Sequence, residues 1–274
     1  MRLFSPAKVN LFLRVERKRG DGYHDLASLF QAISLGDCIS FSLNEKDFLS
    51  CTDPHVPVGP NNLIWQAANL FRRKTGLSFG LCVHLEKNLP MQSGLGGGSS
   101  NAATTLWALN QMWGRPATDE LLALWAAEIG SDISFFFSQG TAYCTGRGER
   151  VAPLSLPSQP PPMWIIKPLE GLSTPHIFKI FDLSKREPRE PLESLEEWRR
   201  GKICTYNDLE KPAFEQLPLL KTLREELVHQ GYQHVTLTGS GTSFFCFGEK
   251  KPSLPDSIYC QRAHFLERTP DGWY

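Results

Sequence analysis

Residues 90–106 read PMQSGLGGGSSNAATTL, four glycines followed by the adjacent serines Ser99 and Ser100, set between two periodic segments. Upstream, residues 80–86 (GLCVHLE) alternate as a strand does; downstream, residues 99–113 carry alanine, threonine and leucine at helical spacing. A strand that runs through a glycine cluster into a helix suits a polyphosphate. Glycine admits positive φ and a close ligand, and the first N–H groups of a helix lack partners and carry partial positive charge. Pro90, Gly94, Leu95, Gly96, Gly97, Gly98, Ser99 and Ser100 are therefore the candidate nucleotide cradle, with the serines expected at the helix cap. The bland alternative is a flexible turn. Two familiar spellings are excluded: GxxxxGK[ST] is absent, and GLGGGS has serine where GxGxxG needs its last glycine. No protein-kinase HRD or DFG set occurs either.

Working outward, residues 8–15 (KVNLFLRV) alternate as a half-buried strand, with Lys8, Asn10 and Arg14 on its polar face. Residues 29–35 and 38–43 are shorter strand candidates. Asn62 reads as the cap of an amphipathic helix that Gly76 ends, and residues 119–129 form another helix closed by Gly130. Residues 153–162 hold five prolines and suit an extended connection, so two domains are expected, 1–155 and 156–274. Beyond it, MWIIKP, HVTLTG and SFFCFG read as strands and residues 219–229 as a helix, while the charged stretch 185–200 reads as solvated helix and loop. Helices and strands interleave throughout, which makes the class mixed α/β, of the α+β kind.

Composition narrows the functions. With 29 basic and 29 acidic residues among 274, no global field exists to hold nucleic acid or an anionic membrane, so phosphates must be met locally. The seven cysteines are odd in number and form no CxxC pair, which suits reduced, mostly buried thiols and implies no structural metal. No signal-peptide pattern or long apolar run is present, so a cytoplasmic protein is expected. No sustained apolar stripe is left over for a partner, so the sequence does not reveal the oligomeric state; a monomer or weak homodimer is the expectation.

The string GLGGGSSNAA, with SPAKVNLFL near one end of the chain and LTGSGTSFF near the other, resembles the three signature motifs of the GHMP kinases in their usual order. RGDGYHDLASLFQAISLGD, NNLIWQAA, GSDISFFF, GRGE, STPHIFK and NDLE resemble the branch that phosphorylates a cytidine diphosphate derivative of methylerythritol in non-mevalonate isoprenoid synthesis. The family has small residues where this chain has Gln92 and Ser93, and proline where it has Ser134. The resemblance implies an N-terminal domain like the second domain of ribosomal protein S5 and a ferredoxin-like C-terminal domain, with the active site between them. It also implies ATP as phosphoryl donor, with Mg²⁺ bound mainly through the ATP phosphates and one of Ser99 and Ser100 beside it.

By the same resemblance Lys8 and Asp132 are the catalytic pair. Phosphoryl transfer passes through a loose transition state, so a placed cation and a carboxylate that takes the proton late suffice. Without the resemblance, Asp132 reads as a helix cap and Lys8 as a solvent-facing strand residue. Asn10 shares the face of Lys8 and is expected to help hold the acceptor hydroxyls. Tyr23 and His24, presented at a loop tip by Gly20, Asp21 and Gly22, would read the pyrimidine with Phe178 and Thr174. Taken singly, Tyr23 and Phe178 are packing residues. Asn62, Leu63 and Lys87 match positions near adenine, although Leu63 alone reads as core. Gly239 and Gly241 would let backbone approach the acceptor; a hairpin turn explains them as well. The alternatives are a kinase for a base-free alcohol such as homoserine or mevalonate, and a homologue that binds nucleotide without turnover.

Overall fold

The computed structural model of the protein describes residues 1–157, 160–269 and 271–274. Its first half contains β1 (Arg2–Lys18), β2 (His24–Asn44), β3 (Phe48–Cys51), α1 (Leu63–Thr75), β4 (Gly80–Glu86), α2 (Gly97–Met112), α3 (Asp119–Ala126), β5 (Thr141–Gly146) and β6 (Arg150–Pro153). The second half contains β7 (Met163–Lys167), α4 (Thr174–Ile180), α5 (Pro191–Arg199), β8 (Tyr206–Asn207), α6 (Glu210–Gln216), α7 (Pro218–His229), β9 (Gln233–Leu237), β10 (Phe244–Phe247) and β11 (Tyr259–Ala263). Part of the expected 153–162 connection, residues 158 and 159, lies outside the described residues.

Among the described residues the strands form two sheets. One runs β3-β4-β2-β1-β8, with β5 added along β2 and β6 along β5; the other runs β11-β7-β10-β9. The second order is that of a ferredoxin-like sheet, but residues 248–258, between β10 and β11, form no crossover helix. Side-chain alternation in β10 shows how the layers stack. Phe245 and Phe247 point into a core shared with Val9 and Leu11 of β1, whereas Phe244 and Cys246 face Leu220, Leu223 and Leu227 of α7. A further core lies between the first sheet and α1, α2 and α3. The order across the molecule is thus helices, sheet, sheet, helices.

Local rules account for several elements. Asn62 accepts from the amide of Ile64 at 2.9 Å, and Gly76 ends α1 in the left-handed region at φ 72°. Arg72, Arg73 and Lys74 occupy the last turn, where cations oppose the helix dipole. α2 is buried almost all round, as expected of a helix without a polar face.

Other expectations need correction. β1 is longer than expected and buried on both faces: the second sheet covers Val9 and Leu11, and the loop at Gly96 closes over Lys8 on the side that alternation assigns to solvent. A bulge between Asn10 and Phe12 also breaks its alternation, sending Phe12 into the same core as Val9 and Leu11. The separate strands at 29–35 and 38–43 are one strand, β2, whose different stretches pair with β1, β4 and β5. α3 stops at Ala126 rather than 129. Within 185–200, Leu195 and Trp198 of α5 enter the core between the sheets, so this stretch is not simply solvated. Of the seven free cysteines only Cys144 and Cys246 are fully buried. The two halves also interlock: β8 pairs with β1, Phe265 bridges to Ile33, and Trp273 donates to the carbonyl of Phe4 at 3.0 Å.

Candidate active site

The glycine-rich loop is pressed backbone to backbone against the turn after β9. Gly94 has φ 79°, and a β-carbon there would overlap the carbonyl of Thr238; one at Gly241 would overlap the amide of Gly94. Only glycine fits either position. Ser243 N donates to Ser93 O at 3.2 Å across the same seam, and Asn207 of the NDLE motif fixes the turn by donating to the carbonyls of Leu237 (2.8 Å) and Gly239 (2.6 Å). α2 begins at Gly97, two residues earlier than expected, with left-handed Gly96 as its cap and no side-chain cap bond. The serines therefore do not cap the helix, because the turn that aims its first N–H groups is made by glycine. Ser100 is buried and accepts from Ser5 Oγ at 2.8 Å; Ser99 remains half-exposed.

Lys8 lies against this loop. Its side chain is 4% exposed rather than solvent-facing, and Nζ is 3.2 Å from Asp132 Oδ2, 2.8 Å from Asn10 Oδ1 and 4.7 Å from the centre of the Phe30 ring. Asp132 sits in the turn before a short 3₁₀ segment, Ser134–Phe137, whose cap is Ile133 with no side-chain bond. The helix-cap reading of Asp132 does not hold; its side chain stays 32% exposed. Ser134, where the family has proline, donates to Ala123 O at 2.7 Å and ties this segment to α3. Asn10 is more committed than expected: Nδ2 donates to Ser28 Oγ at 2.9 Å, and Oδ1 already holds the Lys8 ammonium.

These groups open into a cleft of about 730 Å³, also lined by Tyr23, His24, Gly94, Gly96, Thr174, Phe178 and Gly239. His24 stacks on Phe178 at 5.4 Å between centroids and 28° between planes, with Phe181 edge-on at 6.4 Å. It starts β2, paired with Lys18, rather than standing at the loop tip, and burial together with the nearby Lys18 charge lowers its pKa. Tyr23 does stand out, 56% exposed, with the Arg147 guanidinium 5.2 Å from its ring centre. Thr174 Oγ1 shares a 2.7 Å hydrogen bond with Ser240 Oγ. Sequence reasoning missed three cations on the cleft wall, Lys18, Arg147 and Lys179. The signal was present in the GRGE and HIFK strings, where basic residues accompany recognised motif positions.

Asn62, Leu63 and Lys87 gather at the other side of the α2 start. Asn62 caps α1 and donates to Pro57 O at 2.7 Å. A β-carbon at Gly98 would come to 3.4 Å from Leu63 Cδ1, and one at Gly97 to 3.5 Å from Lys87 Nζ. The Lys87 ammonium is taken by the buried carboxylate of Asp37 (2.9 and 3.0 Å) and by Leu89 O (2.7 Å). Asp37 also accepts from the amides of Asn88 and Leu89 at 2.8 and 2.9 Å, which fixes the run into Pro90. Among the described residues no helix is long and apolar enough to cross a membrane.

A glycine-capped helix start beside a buried lysine and a half-exposed aspartate, in a cleft at the contact of two sheets, defines a small-molecule kinase. Residues 62–140 match the model of the GHMP kinases N terminal domain. The chain is 50% identical, over 100% of its length and 93% of the relative's, to the 4-diphosphocytidyl-2-C-methyl-D-erythritol kinase of Protochlamydia amoebophila strain UWE25. It is 47% identical to the chloroplastic/chromoplastic kinase of that name from Solanum lycopersicum, over 99% of this chain and 72% of the relative. A crystal structure of 4-(cytidine 5'-diphospho)-2C-methyl-D-erythritol kinase superposes with a TM-score of 0.80 at 33% identity, covering 97% of this chain and 99% of that one. The chain is an ATP-dependent kinase of the GHMP fold and belongs to the 4-diphosphocytidyl-2-C-methyl-D-erythritol kinase family.

Proposed function

We propose that the protein transfers the γ-phosphoryl group of ATP to the C2 hydroxyl of 4-diphosphocytidyl-2-C-methyl-D-erythritol, with Lys8 and Asp132 as the catalytic residues. The observation that carries this reading is the 3.2 Å contact of Lys8 Nζ with Asp132 Oδ2, in one cleft with Gly96 and with the stacked His24 and Phe178. In this reading Gly94, Leu95, Gly96, Gly97, Gly98 and the first amides of α2 hold the triphosphate. Asn62, Leu63, Lys87 and Pro90 border the adenosine side.

Asp132 faces the acceptor hydroxyl and takes its proton once the oxygen has begun to bond to phosphorus. Lys8, aimed by Asn10, stabilises charge on the oxygens in transit, an effect strengthened where water is largely excluded. Mg²⁺ neutralises phosphate charge when bound. The donor set fits an ion that arrives on the nucleotide, since Ser99 keeps a half-exposed hydroxyl in the first turn while that of Ser100 is engaged by Ser5. His24, Phe178 and Tyr23 recognise the cytosine, Thr174, Gly239 and Gly241 border the acceptor, and Lys18, Arg147 and Lys179 supply cations for its diphosphate. In this reading residues 1–155 are the ATP-binding domain and residues 156–274 the C-terminal domain, and both contribute acceptor-side residues to this cleft.

The test is ADP release by purified protein with the cytidine-bearing acceptor, homoserine or mevalonate offered separately. Turnover confined to the first supports the reading. Turnover with a base-free alcohol at comparable kcat/KM, or nucleotide binding without turnover, would refute it.

A further inference from the structure

One buried cation takes no part in this chemistry. Lys167, the last residue of β7, is 5% exposed, and its ammonium donates to the carbonyls of Pro168 (2.8 Å), Leu169 (3.4 Å) and Glu170 (3.2 Å). Removing an ammonium from water and giving it main-chain acceptors is costly, and burial lowers the pKa of this lysine accordingly. What the cost secures is the conformation of residues 168–170. The same stretch is held from two further sides. Thr242, at the end of the LTGSGT turn, donates to Glu170 O at 2.8 Å. Gly171 lies so close to Gln92, in the glycine-rich loop, that an added β-carbon would overlap the Gln92 side chain. Gln92 itself has φ 51°, a conformation that non-glycine residues adopt sparingly. Three residues after Gly171, α4 begins with Thr174 and carries Phe178 to His24.

We propose that Lys167 and Gln92 are positioning residues: between them they hold residues 168–171 as a spacer that sets the separation of the phosphate cradle from the helix binding the acceptor's cytidine end. The inference rests on the cytidine-bearing acceptor proposed above. Neither residue need touch acceptor or nucleotide; each acts through the spacer and α4.

The experiment measures calorimetric binding of CDP, with KM for the acceptor and for ATP, in wild type, Lys167→Met, Thr242→Val and Gln92→Gly. Gln92→Gly suits φ 51° and removes the packing side chain, so a loss of binding there is not a loss of folding. Lys167→Met is expected to bind CDP about tenfold more weakly and to raise acceptor KM by a similar factor, with KM for ATP unchanged. Thr242→Val and Gln92→Gly change both quantities in the same direction by smaller factors, and they carry the test should Lys167→Met fail to fold. Unchanged CDP affinity in the folded variants, or an equal rise in both KM values, overturns the spacer. Absence of CDP binding to wild type overturns the cytidine reading and the spacer with it.

Discussion

The backbone amide of Lys8 donates to the carbonyl of Leu95 at 2.9 Å, so the strand that carries the buried ammonium and the glycine-rich loop form one hydrogen-bonded unit. Gly96 follows with φ 70°, and a β-carbon there would stand 2.9 Å from Lys8 Cγ. Gly96→Ala should therefore cost about 1–2 kcal/mol of backbone strain and displace the Lys8 side chain as well. Steady-state ADP release should show KM for ATP raised and kcat lowered by about tenfold or more. Normal values for both would mean that loop and lysine are independent.

Asp37 supports the same loop from behind. Its fully buried carboxylate meets the Lys87 ammonium and two backbone amides, and Asp37→Asn leaves a buried cation without its counter-charge. A loss of about 3–5 kcal/mol in denaturant unfolding is expected, together with weaker ATP binding. A loss below about 1 kcal/mol would place the pair among those worth no more than a surface salt bridge.

His24 makes the acceptor end sensitive to pH. Burial and Lys18 lower its pKa from 6.5, so the ring on Phe178 is neutral at neutral pH. As pH falls through the free-histidine value the unfolded chain takes up a proton that the folded chain does not, and stability declines. Acceptor KM should hold steady down to about pH 6.5 and rise only below it, when the ring becomes charged. His24→Gln should remove that acid limb; its persistence would assign the titration to another group.

Much of this was legible because it is local. Asn62 and Gly76 bracket α1, the apolar alternation of residues 80–86 gives β4, and the glycines of residues 94–98 mark the loop that leads into α2. The double burial of β1 was not, since the second sheet, at Met163 and beyond, closes over one face and the loop at Gly96 over the other. Asp37 and Lys167 were illegible for the same reason: each reads as an ordinary charged residue until distant chain closes over it. Asn10 was legible on the Lys8 face but its bond to Ser28 was not, because that hydroxyl comes from the neighbouring strand. The stacking of Phe178 on His24 was not legible either, since α4 has to bring the two rings together.

Removing the Phe178 ring tests that stack. Phe178→Ala should raise acceptor KM by about ten- to a hundredfold, in line with about 1–3 kcal/mol for a base on an aromatic platform, and should leave KM for ATP unchanged. An unchanged acceptor KM would assign the ring to packing alone.

The most direct measurement is single-turnover phosphoryl transfer by Asp132→Asn at saturating ATP and acceptor, beside calorimetric titration of the same protein with both ligands. The variant should bind ATP and acceptor with near wild-type affinity and transfer about a hundred- to ten-thousandfold more slowly, the range general-base catalysis contributes. Transfer at the wild-type rate with both ligands bound would contradict a mechanism built on the 3.2 Å pair of Lys8 and Asp132.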